Sequence, residues 1–389
     1  MTKHCRSVLL AVAFFLISST SLRAQSLPSE LSDKEFWKIV TDFSEPNGYY
    51  RYENFVSNED DYQSFLPELT RMFNPASIYV GVGPEQNFTY ISALKPKLAF
   101  VVDIRRQNML EHMIYKALFE TSPNRVEFAS KLFSRERPSE VGDKSSVDEI
   151  FDALSAQPVD SDGFKKNLQD IKDLLVKKHR FGLTDEDQAD IEHVFTVFRE
   201  YGPEINYNSG SARGGFGRGA RFGGNMPNYV SLMTATDQQG EERSYLATEE
   251  NYRTLRDMEL KNLIVPLSGD FGGPKAIRSV GRYVKDHNAI IAAFYLSNVE
   301  QYLFQGNGNQ NGGWKNFYEN CGLLPLDSTS TFIRSVGGMG RGMMGNGGYG
   351  VRGFGGMRAP NVLSSMQDTL GAVKSGRVQS YYDILSMSK

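Results

Sequence analysis

Three stretches of the chain carry residue types at spacings that suit ligand chemistry. The first is Gly81-Val82-Gly83-Pro84-Glu85-Gln86-Asn87, which ends an apolar run that begins at Ser77. Glycines at such a turn let backbone approach a ligand, and the N–H groups opening the next helix favour polar or anionic groups. The second is Asp103, 20 residues after Gly83, at the end of the apolar run Leu98–Val102. An acid so placed accepts hydrogen bonds from ribose hydroxyls. Together they predict a small polar or nucleoside-type ligand across the tips of two strands, touching Gly83, Glu85 and Asn87. The plain alternative is a sharp turn and a capping acid with no ligand, because folds outlive functions. The third stretch is a set of polar residues after two later apolar runs: Asp270, Asn298, Glu300 and Tyr302. Asp270 and Glu300 are the candidate general bases, although no partner residue fixes either role. For Glu300 and Tyr302 the alternative is a helix N-terminal acid and a packed aromatic. Arg105-Arg106 could reach a carboxylate or phosphate, or could be a solvated basic pair.

Other chemistries lack their residues. His112, His179, His193 and His287 are scattered, and neither His-x-x-x-His nor Cys-x-x-Cys spacing occurs, so no sequence-local metal site is expected. No Gly-x-Ser-x-Gly elbow is present. The formal net charge of −3 argues against a protein built around nucleic-acid phosphates.

These residues need elements to hold them. Ser32-Asp-Lys-Glu35 is a capping box for a helix with Phe36, Ile39, Val40 and Phe43 on one face. A short helix is expected over 61–73. Strands are expected at 77–82, 98–104, 262–268 and 289–296, runs apolar enough for a parallel sheet covered on both faces. Helices are expected at 85–94, 107–120, 125–133, 164–178, 185–201, 249–260 and 274–287, the last opening on Pro274. Residues 134–160 read as polar and looser. Sheet character is expected again at 229–235, a closing antiparallel pair at 322–327 and 331–336, and a C-terminal helix from Val362. The predicted fold class is α/β, a three-layer sandwich with a mostly parallel sheet of roughly five to seven strands.

The glycine turn and the placed acid resemble the class I (Rossmann-like) S-adenosylmethionine-dependent methyltransferases. Gly81-Val82-Gly83 matches their first glycine motif, and Asp103 matches the acid ending their second strand. The chain is also similar to a bacterial family of uncharacterised, methyltransferase-like proteins. That similarity rests on the stretches 81–91, 269–276 and 297–303, and spans about 78–333. The resemblance implies S-adenosylmethionine as cofactor, held by Gly81, Gly83, Pro84, Glu85, Gln86, Asn87 and Asp103. The sequence departs from the family at Glu85, which stands for the third glycine, and at Tyr79, where an acid is common. A carboxylate at Glu85 would repel a pyrophosphate but could pair with the ammonium of a methionine moiety. Gly269-Asp270-Phe271 stands where amino-group methylases carry an Asp-Pro-Pro-Tyr signature.

Residues 1–24 read as a secretory signal peptide: Lys3 and Arg6, then apolar Val8–Ile17, then a small and polar stretch ending at Ala24. The apolar run is short for a membrane span, and no later segment reaches that length. Cleavage after Ala24 would leave Cys321 as the single cysteine and export the protein away from a cytoplasmic methyl donor. The expected organisation is a helical segment at 25–76 and an α/β domain at 77–335, with a helical insertion at 105–207 and a glycine-rich insert at 209–225. A glycine-rich loop at 336–360 and a helical segment at 361–389 follow. The two glycine-rich stretches each carry three arginines and no acid. They resemble RNA-binding arginine-glycine segments, but flexible surface loops are the reading preferred, because glycine is costly to order. Two functions remain open: an exported methyltransferase acting on an unknown substrate, or a non-catalytic exported binding protein on the same scaffold.

Overall fold

Six short runs of sequence pair into one mixed sheet. They are β1 (Ile78–Gly81), β2 (Leu98–Asp103), β3 (Ile264–Ser268), β4 (Ile291–Ser297), β5 (Thr331–Ser335) and β6 (Asn361–Ser365). The structure, a computed structural model, describes residues 26–210, 226–306, 313–336 and 361–388. The strand order is β3-β2-β1-β4-β5-β6. Neighbours from β3 to β5 are parallel, and β6 runs antiparallel to β5. The chain therefore builds outward from β1 in one direction as far as β3, then restarts on the other side with β4. The order reverses between β1 and β4.

Every residue of β1, β2, β3 and β5 is buried, as strands covered on both faces must be. Register explains the side-chain sizes. Phe100, Val80, Phe294 and Phe332 align across four strands, while the next row sets Tyr79 between Ala99 and Ala293. Around β1 large and small side chains thus alternate within each row, while Phe294 and Phe332 pack ring against ring. Each large apolar side chain so buried contributes roughly 1.5–3 kcal/mol. Pro266 sits inside β3, which is tolerable because β3 is an edge strand with β2 as its one neighbour.

Helices pack on this sheet in two series. In one, helix Asp33–Phe43 contacts β3 and helix Ala276–Asp286, which in turn contacts helix Gly313–Cys321. In the other, helix Glu249–Leu260 contacts both helix Gln86–Leu94 and helix Arg106–Thr121. Helix Arg106–Thr121 lies against β2 and β3 and is buried all round, from Asn108 to Phe119. The capping box opens the first helix as the sequence indicates, with Glu35 N–H donating to Ser32 Oγ at 3.3 Å and Ser32 N–H to Glu35 Oε2 at 3.0 Å.

Five expectations need correction. Residues Tyr229–Met233 are a helix, not a strand, capped by Asn228 and burying Tyr229, Leu232 and Met233. That i, i+3, i+4 spacing outweighs the β propensity of Tyr and Val. The antiparallel partner of β5 is β6, not 322–327. The C-terminal helix accordingly begins at Met366, capped by Ser365, rather than at Val362. Helix Ala276–Asp286 starts after Pro274, and 134–160 contains the capped helix Val147–Ser155. The predicted signal peptide and most of both glycine-rich stretches lie outside the described residues.

Candidate functional site

The carboxyl ends of β1, β2, β3 and β4 open on one cavity of about 790 Å³. It straddles the point where strand order reverses, the place where open α/β sheets bind ligands. Its floor is made by the four strand exits, and its roof by the irregular segment between helix Asp33–Phe43 and helix Leu66–Met72.

At the β1 exit, Gly83 takes φ +79°, a conformation L side chains rarely adopt, and its missing Cβ points into open space. Gly83, Pro84 and Gln86 line the cavity. Their neighbours shape the turn without facing it. Asn87 donates from Nδ2 to the carbonyls of Val82, Gly83 and Pro84 at 2.9, 3.1 and 2.8 Å, and accepts the Tyr79 hydroxyl at 2.9 Å. Gly81 is small for Asn87's sake, since a Cβ there would lie 1.9 Å from Asn87 Oδ1. Glu85 is fully buried and accepts the Ser57 N–H at 3.1 Å. Burial pushes its carboxyl up to about 8, so at neutral pH it is mostly a neutral acid, not an anion facing a ligand ammonium. His112, behind the turn, has its Nε2 2.9 Å from the Gly83 carbonyl, and burial pulls it down to about 4. The neutral ring therefore donates to that carbonyl.

At the β2 exit, Asp103 lines the cavity but is already engaged. Arg105 donates to it from its backbone N at 2.9 Å, from Nε at 3.0 Å and from Nη2 at 3.1 Å. Arg106 turns away and grips Asp187 with two donors, at 2.6 and 2.8 Å. At the β3 exit Asp270 and Phe271 line the cavity, and Asp270 Oδ1 accepts the Gly272 N–H at 2.9 Å. At the β4 exit come Ser297, with φ +50°, then Asn298, Val299 and Tyr302. Glu300, one of the two candidate bases, does not line the cavity. It lies buried, bonded to Arg334 and to the Tyr318 hydroxyl.

The roof was not marked by any motif in the sequence. Glu45, Tyr50, Arg51, Asn54, Ser57 and Asn58 all line the cavity. Glu59 beside them is buried, accepts Tyr295 OH at 2.7 Å and is bonded by Ser297, while Gln86 donates to the same Tyr295. The available signal was the density of tyrosines in Tyr49-Tyr50-Arg51-Tyr52 within a stretch with no periodicity.

The wall thus offers backbone at Gly83, amides at Asn54, Gln86 and Asn298, aromatic faces at Tyr50, Phe271 and Tyr302, and the Asp103–Arg105 pair. The wall therefore combines a few hydrogen-bonding groups with aromatic and apolar surface. Among the described residues no cluster of three or more His, Cys, Asp or Glu could hold a metal ion, and no helix is long and apolar enough to cross a membrane. A family model described as a domain of unknown function (DUF7790) matches residues 54–349, most of the sheet and most of the cavity wall. No curated protein matches the chain.

Proposed function

The chain belongs to that family of unknown function, and from the geometry of its site we propose that it binds a nucleoside-type ligand, S-adenosylmethionine in the first instance. The two helix series lie on opposite faces of the sheet in this reading, giving the three-layer, methyltransferase-like sandwich. The observation that carries it is the cavity's position: it opens at the β1/β4 reversal, with the side-chain-free face of Gly83 toward the ligand. The reaction would be methyl transfer, with Asp270, on the cavity wall at the β3 exit, as the candidate general base.

A second reading keeps the ligand and drops the reaction. It is favoured by the burial of Glu300 away from the cavity, which removes one of the two candidate bases. Export of the chain, proposed from the pattern of residues 3–24, favours it too, since a methyl donor would then have to be supplied outside the cytoplasm. Titration calorimetry with S-adenosylmethionine and S-adenosylhomocysteine tests both readings. Saturable binding with a rise in melting temperature supports the site, and absence of heat at millimolar ligand removes it. Incubation with methyl-labelled donor and a lysate then separates the two readings, because a binding protein transfers no label. N-terminal sequencing of the protein from its host tests export.

A further inference from the structure

We propose that residues 49–54 are a lid over the cavity, latched shut by the Tyr50 hydroxyl against Tyr302 and Tyr207. The segment Ser44–Glu59 crosses the strand exits in the order of the sheet. At β3, the Glu45 carboxylate takes the N–H groups of Asp270, Lys275 and Ala276 at 3.1, 2.7 and 2.9 Å, and its own N–H donates to Ser268 O at 2.7 Å. At β2, Gly48 N–H donates to Ile104 O at 2.9 Å, and Arg106 N–H to Asn47 Oδ1 at 2.8 Å. At β1, Ser57 N–H donates to Glu85, and at β4 Glu59 accepts from Tyr295 and Ser297. Phe55 and Val56, 1% and 0% exposed, pin the chain just before Ser57. Both ends are therefore fixed.

The middle is different. Among the described residues, the backbone of 49–54 makes no hydrogen bond to other backbone. Segments of that kind open at low free-energy cost. Tyr49 is 85% exposed and Arg51 is exposed, yet Tyr49, Tyr50, Arg51 and Asn54 all line the cavity from above. Gly48 stands at one end of the segment and Asn54, at φ +49°, at the other. A non-glycine residue in that conformation marks a bend the surroundings enforce. What holds the middle down is side chain. Tyr50 OH donates to Tyr302 OH at 3.1 Å and lies 3.2 Å from Tyr207 OH, and its ring meets that of Tyr302 edge-on with centroids 5.6 Å apart. Tyr52 packs on Tyr207 with centroids 5.4 Å apart. Glu53 adds contacts to Gln107 and His193 outside the cavity. Burial pushes the Tyr50 hydroxyl well above its ordinary pKa, so it stays protonated and able to donate at any physiological pH.

The inference rests on the proposed ligand site, but its first test does not. Tyr50→Phe keeps the ring and removes both hydroxyl contacts. Losing two such bonds should raise the open fraction about tenfold. Limited trypsinolysis of the folded protein, with mass spectrometry of the products, reads cleavage after Arg51. The expected result is a roughly tenfold faster cut in Tyr50→Phe, an intermediate rate in Tyr207→Phe, and unchanged melting temperature in both. Equal rates in all three proteins would overturn the latch. The second arm uses S-adenosylhomocysteine as the probe, which should slow the wild-type cut and leave Tyr50→Phe about tenfold faster. If the probe binds and gives no protection, segment 49–54 is not a lid. If it does not bind, the ligand reading fails while the first arm still decides the latch.

Discussion

Two buried carboxylate–guanidinium pairs in this molecule look alike and do different things. Asp103–Arg105 joins residues two apart at the tip of β2 and forms part of the cavity wall. Glu300–Arg334 joins residues far apart in the chain, with side chains 1% and 0% exposed, and is not part of that wall. Arg334 belongs to β5 and also donates to Ser364 of β6, while Glu300 accepts from Tyr318 in helix Gly313–Cys321. The second pair therefore bolts a helix after β4 to the two strands that close the sheet. Both carboxylates read as site candidates in the sequence, since both follow an apolar strand. What separates them is the reach of the partner: a local pair leaves its acid on the surface it came from, and a long-range pair pulls it into the scaffold.

The largest effect should come from the scaffold pair. Glu300→Gln leaves Arg334 charged, buried and short of its anion, and breaking a buried pair from one side costs roughly 3–5 kcal/mol. The expected result is a loss of that order in urea unfolding. The double variant Glu300→Leu/Arg334→Leu should recover much of it, because no orphaned charge remains. A single variant as stable as wild type would erase the contrast between the two pairs.

The next effect is a pH dependence located under the wall. Glu85 has its carboxyl raised from 4.5 to about 8 by burial. The folded state then holds a proton that the unfolded chain releases, so its contribution to stability is full below about 4.5 and is lost as pH rises toward 8. One pKa unit corresponds to about 1.4 kcal/mol, so a slope of up to that size per pH unit is expected between pH 5 and 8. That slope is the Glu85 share alone: Glu85→Gln should flatten the total only in part, because burial also pushes Glu259 up to about 8 and raises Glu59 and Glu111. Unfolding midpoints of both proteins at pH 5, 6.5 and 8 give the answer, and parallel curves would mean Glu85 is ionised.

Asp103→Asn should cost less than Glu300→Gln. The amide oxygen can still accept the Arg105 N–H, and Arg105 stands at the cavity wall rather than inside the scaffold. A stability loss of roughly 1–3 kcal/mol is expected, the range for a charged hydrogen bond given up. Under the nucleoside reading, ligand affinity should fall by about ten- to a hundredfold as well. Loss of stability with unchanged affinity in calorimetry would assign Asp103 to the scaffold alongside Glu300.

How much of this was legible in the sequence follows the same division between local and long-range. The strand–turn–helix at Gly81–Asn87, the strand before Asp103 and the capping box at Ser32 are local patterns, and each is where the residues indicate. β6 was not legible, because its partner β5 lies across a long glycine-rich stretch and Asn361–Ser365 is too polar to announce a strand. The fate of Glu85 and Glu300 was hidden for the same reason, since Ser57 and Arg334 come from distant segments. The roof could not be read at all: its residues have no periodicity, and their placement is set by tethers to four different strand exits.

The smallest effect tests the division inside a single motif. Gly81 and Gly83 are two residues apart and would be scored alike in any glycine pattern. Gly83→Ala puts a methyl into open space at φ +79°, so its cost is backbone strain alone, about 1–2 kcal/mol, with no neighbour displaced. Gly81→Ala meets no positive-φ penalty but drives its methyl to 1.9 Å from Asn87 Oδ1 and 2.7 Å from the Tyr79 hydroxyl. Asn87 must then give up its clamp on three carbonyls, and the turn loosens as a whole. Gly83→Ala should therefore lower ligand affinity through the methyl in the cavity while leaving hydrogen exchange along Val82–Asn87 near wild type. Gly81→Ala should speed that exchange before any ligand is added. If the two variants exchange alike, Asn87 is not what holds the turn, and the split between shaping and facing residues fails at its most local point.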